Sequence, residues 1–501
     1  MSADLDYTRR WLINASGAAL LSSTVPLTAS YAQTAAAAPP SAAKGSAEDA
    51  TTDSASISPV TSALAEYVAK TLDRELPEAI VACTKLHVLD TIAAMVAGSR
   101  LKPGVFAVRY VDSLGGKTQA TVIGTRILTS TVNAAFANGM MGHADETDDT
   151  HPIGPFHAGC SVVPTALAAA ESAKRTGNDV LRAVALGYDV GARLIMSLGG
   201  TRHNPSCMTN SFAATATAAA ILRLDPRQVR YAFSYAGQQA SGIGYWDRDL
   251  EHIEKAFDFG AMGARNGLTA ATMVAMGCTA VDDPFSGTPN VFTTLGEKPT
   301  PDALVAELGT RFEVLNTTIK KWSVGLPLQS VMDSMVVLLQ DRAVRADNIK
   351  RIVVDDPTGD IHIVDNNPNP DLCLQHLVAL MIVDRGATFA SVHDLTRMRD
   401  PKVLAVRKLV EVMPSAELQA ATPPHQTIVR IETADGQSLN HRTNVVRGTA
   451  RNPMDQKEVE AKALDLMAPV LGAARANELI AAVGNLDRFG PVSGLRRLLQ
   501  A

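Results

Sequence analysis

Cysteine is scarce and scattered in this sequence: Cys83, Cys160, Cys207, Cys278 and Cys373 are five in 501 residues, with no C-x-x-C pair. An odd, dispersed set argues against a disulfide framework and a zinc ribbon. Excess positive charge is also missing. Lys plus Arg number 46 against 51 Asp plus Glu, a formal net charge of -5, so no global positive field holds a nucleic-acid backbone. No internal repeat of roughly 20–50 residues is found, which removes solenoids and propellers. Aromatic residues are 5% and charged residues 19% of the chain, but 46% is hydrophobic. That is enough for two ordinary domains with cores of their own, and disorder is not the default.

The N-terminus reads as an address. Arg9 and Arg10 precede a mildly apolar stretch, and no charged residue follows until Lys44, the charge pattern of a signal peptide. Asn14, Ser16, Gly17 and Pro26 dilute the stretch, leaving it short of the roughly 20 apolar residues that span a bilayer. Small residues around Ala32 and at 35–37 offer cleavage sites. The order resembles a twin-arginine export signal over residues 1–32, and residues 33–58, rich in Ala, Ser, Thr and Pro, read as a flexible linker. A periplasmic location follows, or a cytoplasmic one if the leader does not function; no stable membrane insertion is expected.

From residue 59 to 316 apolar residues recur at helical spacing, as in Leu64, Tyr67, Val68 and Leu72, and in Ala79, Cys83, Leu86 and Leu89. Pro77, and Asp225 ahead of Pro226, mark helix starts. Stretches 165–173 and 213–222 are rich in small residues, so their backbones can approach closely. The character changes over 317–452. Residues 349–354 and 427–432 are β-branched runs, the second followed by Ala434-Asp435-Gly436-Gln437 and a further strand at 438–446, with helices expected at 331–339, 374–382 and 402–412. Residues 453–501 return to amphipathic helix. The expected architecture is mainly α: a large all-helical domain from two chain segments, with a smaller α+β lid domain inserted between them.

The densest polar segment is 143–157, with four carboxylates (Asp145, Glu146, Asp148, Asp149) and three imidazoles (His143, His151, His157) in fifteen residues. Such crowding is costly unless the groups are paired, bound to a ligand or exposed. Taken alone it reads equally as a solvated acidic loop. Its spacing matches neither H-E-x-x-H nor a two-His-one-carboxylate pattern, so no metal is assigned.

This segment resembles the signature of the MmgE/PrpD family, which contains 2-methylcitrate dehydratase and cis-aconitate decarboxylase: a His, then an Asp or Glu and an aromatic residue ahead of Asp-Asp-Thr-His, then a further His. Further landmarks follow in order. His203-Asn204-Pro205-Ser206 is similar to the family's second histidine loop. Lys255-Ala256-Phe257-Asp258-Phe259-Gly260, with Arg265-Asn266-Gly267 after it, is similar to its lysine-glycine stretch. Lys320-Lys321-Trp322 and Gly448-Thr449-Ala450-Arg451-Asn452-Pro453 fall into register. The likeness runs over essentially 60–499. It departs at Asp145, where the family has an apolar residue, at Thr147 for an aromatic, at Ala158 for a proline, at Trp322 for a tyrosine, and at Gln329 near a histidine. These departures bear on the substrate rather than on the fold.

The resemblance implies a homodimer with a pocket between domains, no cofactor, and a small polycarboxylate substrate. Chemistry next to a carboxylate needs a base for a carbon-bound proton, cations for enolate-like charge and an acid. His157 is assigned the proton, with Glu146, Asp148 or Asp149 orienting it; His203 and Lys255 hold carboxylates and developing charge; Thr150 donates a hydrogen bond. Asp149, His151, Arg265, Lys320 and Trp322 are further candidates for contact with substrate, Arg265 through a bidentate carboxylate pair. His87, on an apolar helix, reads as a core or interface histidine, and His252, His362, His376, His393, His425 and His441 have weaker claims. The expected activity is a lyase that dehydrates a 2-hydroxy acid or decarboxylates a cis-aconitate-like acid. An epimerase or isomerase of an imino- or amino-dicarboxylate would use the same residues, and an exported carboxylate-binding protein without turnover would keep the pocket alone.

Overall fold

The computed structural model describes residues 57–154 and 156–501, so the leader and nearly all of the linker lie outside the described residues. Helix α1 (Pro59–Ala69) begins where Ser58 accepts a hydrogen bond from the Thr61 amide and Pro59 occupies the first turn, a place where a missing N–H costs nothing. Then come α2 (Glu78–Gly98), α3 (Lys102–Leu114), α4 (Thr131–Gly142), α5 (Gly159–Ser172), α6 (Gly177–Leu198), α7 (Pro205–Ile221) and α8 (Pro226–Gln239). The start expected at Pro226 carries a full capping box between Asp225 and Gln228.

Two expectations change here. The stripe Ala79, Cys83, Leu86 and Leu89 is only part of the buried face of α2: Leu89 is buried, and Cys83 and Leu86 pack partly buried against the core. Ala79 is exposed, while Ile80, Thr84, His87 and Val88 are buried, and from His87 onward every residue of the helix is inside. With α4, α5, α6 and the tail packed around it, α2 has no polar side for periodicity to reveal. It is long and apolar enough to cross a membrane but is mostly buried in the protein. Nor is this part all-helical, because strands β1 (Ala120–Thr121) and β2 (Leu128–Thr129) form a short antiparallel ladder.

Helix α9 (Ile253–Ala256) runs through a widened π turn, Phe257–Ala261, into α10 (Met262–Ala275). A π turn leaves carbonyls short of intrahelical partners. Here Ser161 of α5 donates to the Phe259 and Gly260 carbonyls, and Asn210 of α7 donates to Phe259 at 2.7 Å. The turn packs directly on α4: a Cβ at Gly260 would stand 2.0 Å from the Gly139 carbonyl oxygen, so glycine is required where these backbones meet.

A four-stranded sheet follows, in the order β4 (Val410–Ser415), β3 (Ile349–Pro357), β5 (Thr427–Thr433), β6 (Ser438–Thr443). β3 and β4 are parallel and the other pairs antiparallel. The helix expected over 402–412 is therefore only Pro401–Arg407. Residues 410–412 pair with β3, since Val410 and Val412 suit a pleated, half-buried position better than a helical one. Helices Gln329–Leu338 and Leu374–Asp384 fall where expected.

Apolar side chains gather in two cores. One draws on residues 64–319 and 454–499, the other on 324–431. The tail helix Gln456–Leu471 packs on α2. From it buried Lys462 reaches Asp90 at 2.7 Å and donates to the Thr147 carbonyl at 3.0 Å, fixing the loop that carries most of the candidate site.

Candidate active site

The segment between α4 and α5 is buried almost throughout, from His143 to His151, so the solvated-loop reading does not hold. Its charges survive burial because each has a partner. Asp148, fully buried, bridges two imidazoles: Oδ2 accepts from His143 Nδ1 at 2.9 Å, and Oδ1 from His157 Nδ1 at 3.1 Å. Burial by itself would raise the Asp148 carboxyl, but the two imidazoles hold it well below the usual range. The ring of Phe259 stacks on His143 at 4.6 Å and meets His157 edge-on at 5.2 Å. Burial, reinforced by nearby Lys320, keeps the His157 imidazole below its ordinary value despite Asp148. A neutral His157 with its Nδ1–H held by Asp148 has Nε2 as its basic nitrogen.

Lys255, on α9, pairs with Glu146 through Nζ and lies over the rings of Trp246 at 5.2 Å and Phe259 at 5.4 Å. Burial opposes ionisation of Glu146, yet Lys255 and Lys320 hold its carboxyl well down. Lys320 is wholly buried, donates to the Glu146 carbonyl at 2.8 Å, and stands 3.6 and 3.7 Å from the Glu146 and Asp148 carboxylates. Thr150 is held by paired backbone bonds with Thr318 at 3.0 and 2.8 Å. His151 Nδ1 accepts from the Ile153 amide and Nε2 meets Glu313 at 3.2 Å, which fixes the donor on Nε2. Glu313 sits at about 2, because its bonds to His151 and Asn316 outweigh burial.

A cavity of about 760 Å³ brings Glu146, Thr150, His151, His157 and Lys255 to one space, together with His252, Trp246 and Phe259. Of these His252 is the functional candidate that the sequence marked only weakly. It adopts a left-handed φ of 57° at the start of α9, is buried, and lies 3.8 Å from Glu146. Burial and Lys255 push it down to about 3, so it is neutral. No strong sequence signal announces it beyond its place three residues before Lys255.

Five candidates are placed elsewhere. His203 is exposed, with its loop instead contributing Asn204, which caps α7 and bonds to Asp258 in the π turn. Asp149 faces away from the cavity into the first core, accepting from Tyr188, from the Gly159 amide at 2.9 Å and from His87 at 2.7 Å. Lys320 braces the loop from behind and is absent from the cavity wall. Arg265 bonds to Asn266 and lies over Phe257. Trp322 donates to Asp333 at 3.0 Å and packs on the second core, its backbone clamped by Gln329. Asp149, Lys320, Arg265 and Trp322 each have a protein partner in place of a ligand.

Among the described residues, two donor sets lie close enough to hold a cation: His143, Asp148 and His157, and His143, Glu146 and His252, with ligand atoms within 4.8 Å of one another. Lys255 and Lys320 already contact the same carboxylates, so a divalent ion would meet two positive charges at close range. Charge balance favours the lysines. What the arrangement offers is an oriented imidazole base, a cation beside it and a hydroxyl donor, in one cavity.

Residues 62–303 match the MmgE/PrpD N-terminal domain and residues 322–488 the MmgE/PrpD C-terminal domain. The chain belongs to the MmgE/PrpD family. It is similar to the cis-aconitate decarboxylase-like protein oryM of Aspergillus oryzae, 26% identical over 290 residues, which are 54% of this chain and 59% of that protein. The chain thus spans about three fifths of the length of that curated relative.

Proposed function

We propose that the protein is a lyase that moves a proton at a carbon next to a carboxylate of a di- or tricarboxylic acid, dehydrating a 2-hydroxy acid or decarboxylating a cis-aconitate-like one. The observation that carries the reading is the Asp148–His157 pair, with His157 Nε2 left as the base, in the same cavity as Lys255 and Thr150. Asp148 orients His157 and stabilises its imidazolium once the proton is taken, the role a carboxylate plays behind a catalytic histidine. Lys255 receives the substrate carboxylate and the enolate-like charge, its own position set by Glu146 and two aromatic faces. Thr150 donates to a carboxylate oxygen.

In dehydration His157 takes the carbon-bound proton, the electron pair forms the double bond, and the hydroxyl leaves the neighbouring carbon as water, taking the proton that the His157 imidazolium then gives up. In decarboxylation the carboxylate leaves as carbon dioxide, and the carbanion that remains takes a proton from the imidazolium form of His157, which regains one from solvent. Homodimerisation goes with this reading: α3 exposes Phe106, Tyr110 and Leu114, spaced four apart on one face. So does export by the leader, which fusion of residues 1–45 to a reporter requiring folded export tests.

The decisive experiment incubates the purified chain with citrate, 2-methylcitrate, cis-aconitate and iminodisuccinate in deuterium oxide. A new alkene or released carbon dioxide supports the lyase. Deuterium exchange without net product replaces it with an isomerase, and binding without exchange replaces it with a carboxylate-binding protein.

A further inference from the structure

The cavity is larger and more apolar than a small polycarboxylate requires. Its volume, about 760 Å³, lies high in the range of roughly 300–1,000 Å³ that encloses drug-sized ligands. A citrate-sized acid fills only part of it. Among the wall residues before 318, Thr150, His157 and Lys255 are suited to an anion. Elsewhere the wall carries Ile153, Leu250, Leu326, Pro327, Ile363 and Leu372. Ile153 and Leu250 are 40% and 68% exposed, large aliphatic side chains that line the cavity without full apolar cover.

Several polar groups contributed by residues 325–451 are already paired: Asn367 and Thr449 donate to the Ile363 and Val446 carbonyls at 2.7 and 2.8 Å. Asp360 and His425 pair at 3.2 Å, and the exposed His362 and Arg451 also line the cavity, which leaves Arg451 as a cation on that side. An apolar wall gives a carboxylate nothing and strips its water at a cost. The same wall rewards a hydrocarbon chain for every methylene it covers.

We infer that the substrate is a polycarboxylic acid bearing an alkyl or other apolar tail of several carbons, its carboxylates at Lys255 and His157 and its tail along Ile153, Leu250, Leu326 and Ile363. This rests on the proton-transfer reading above and extends it to the class of substrate. Turnover therefore favours long-tailed acids over citrate or cis-aconitate.

The test uses the full chain and two series. In the first, calorimetry measures binding of the unreactive methyl-, butyl- and hexylsuccinates. In the second, alkene formation and carbon dioxide release are followed with the matching 2-alkylcitrates. The dissociation constant is expected to fall about fourfold for each methylene buried, and kcat/KM to rise in parallel. The single variants Ile153→Gln and Leu250→Gln, at exposed positions that leave folding intact, are expected to flatten the dependence on tail length. Affinity that is independent of length, or that falls with it, overturns the tail site. If affinity rises with length and no citrate is turned over, the tail site stands and the lyase reading falls; if 2-methylcitrate is turned over and affinity is flat, the reverse holds.

Discussion

Asp148 and Asp149 are neighbours in sequence, both fully buried, and they serve opposite sides of the same loop. Asp148 holds His143 and His157, and His157 forms part of the cavity wall. Asp149 points into the first core, where it ties together His87, Tyr188 and the first amide of α5. Both pair a carboxylate with imidazole. On the core side burial pulls the His87 imidazolium down, but the Asp149 bond and nearby Cys83 more than offset it, lifting His87 to about 10. On the cavity side His157 is depressed and stays neutral. A proton fixed on one histidine makes a structural clamp, and a proton kept off the other makes a base.

Four measurements would break or sharpen that contrast. The largest effect belongs to the clamp. Asp149→Ala leaves a charged imidazole buried without its partner, and unfolding in urea is expected to show a loss of about 3–5 kcal/mol, while the folded fraction keeps most of its exchange rate. His157→Ala or Lys255→Ala is expected to lower turnover at least about a hundredfold, with thermal unfolding little changed; unaltered rates in folded protein would refute the assignment. Asp148→Asn is expected to cost about tenfold or more in kcat. It should also move the acid limb of kcat/KM, which lies below pH 6.5 in the parent, to still lower pH, because Asp148 is what raises His157. A limb that stays in place would mean that His157 is not the base.

The smallest effect concerns His393, which lies 2.9 Å from Asp145. Burial opposes its charge, but Asp145, Asp371 and the Phe389 carbonyl lift it to about 9. Because the folded value exceeds the unfolded one, the pair contributes fully below about pH 6.5, and that contribution is lost as pH rises through 9. Relative to His393→Gln, the parent should lose on the order of 1 kcal/mol between those limits, read as the difference between two urea series.

The crowding of charge over 143–157 and the runs at 349–354 and 427–432 were legible because each departs from ordinary composition or periodicity, whereas the lysine at 255 stood out only through the family resemblance. Direction was not legible. Asp148 and Asp149 are chemically identical letters, and only packing against α2 and α6 turns the second inward. His203 looked functional by position, but its neighbour Asn204 carries the loop's contacts. Much of the buried face of α2 escaped because a helix surrounded on all sides has no polar stripe. Strand β4 was hidden behind a helix that stops at Arg407, although Val410 and Val412 were the available clue.

The π turn has a consequence for how this chain could change over time. Ser161 and Asn210 grip its carbonyls, and Gly139 meets Gly260 backbone to backbone, so sliding that segment by one residue would swing Lys255 away from Glu146 and undo contacts with three helices at once. Leu326 and Ile363 also line the cavity but come from segments of the chain that the turn does not contain. Variation can therefore retune what is admitted while leaving the proton-handling apparatus untouched.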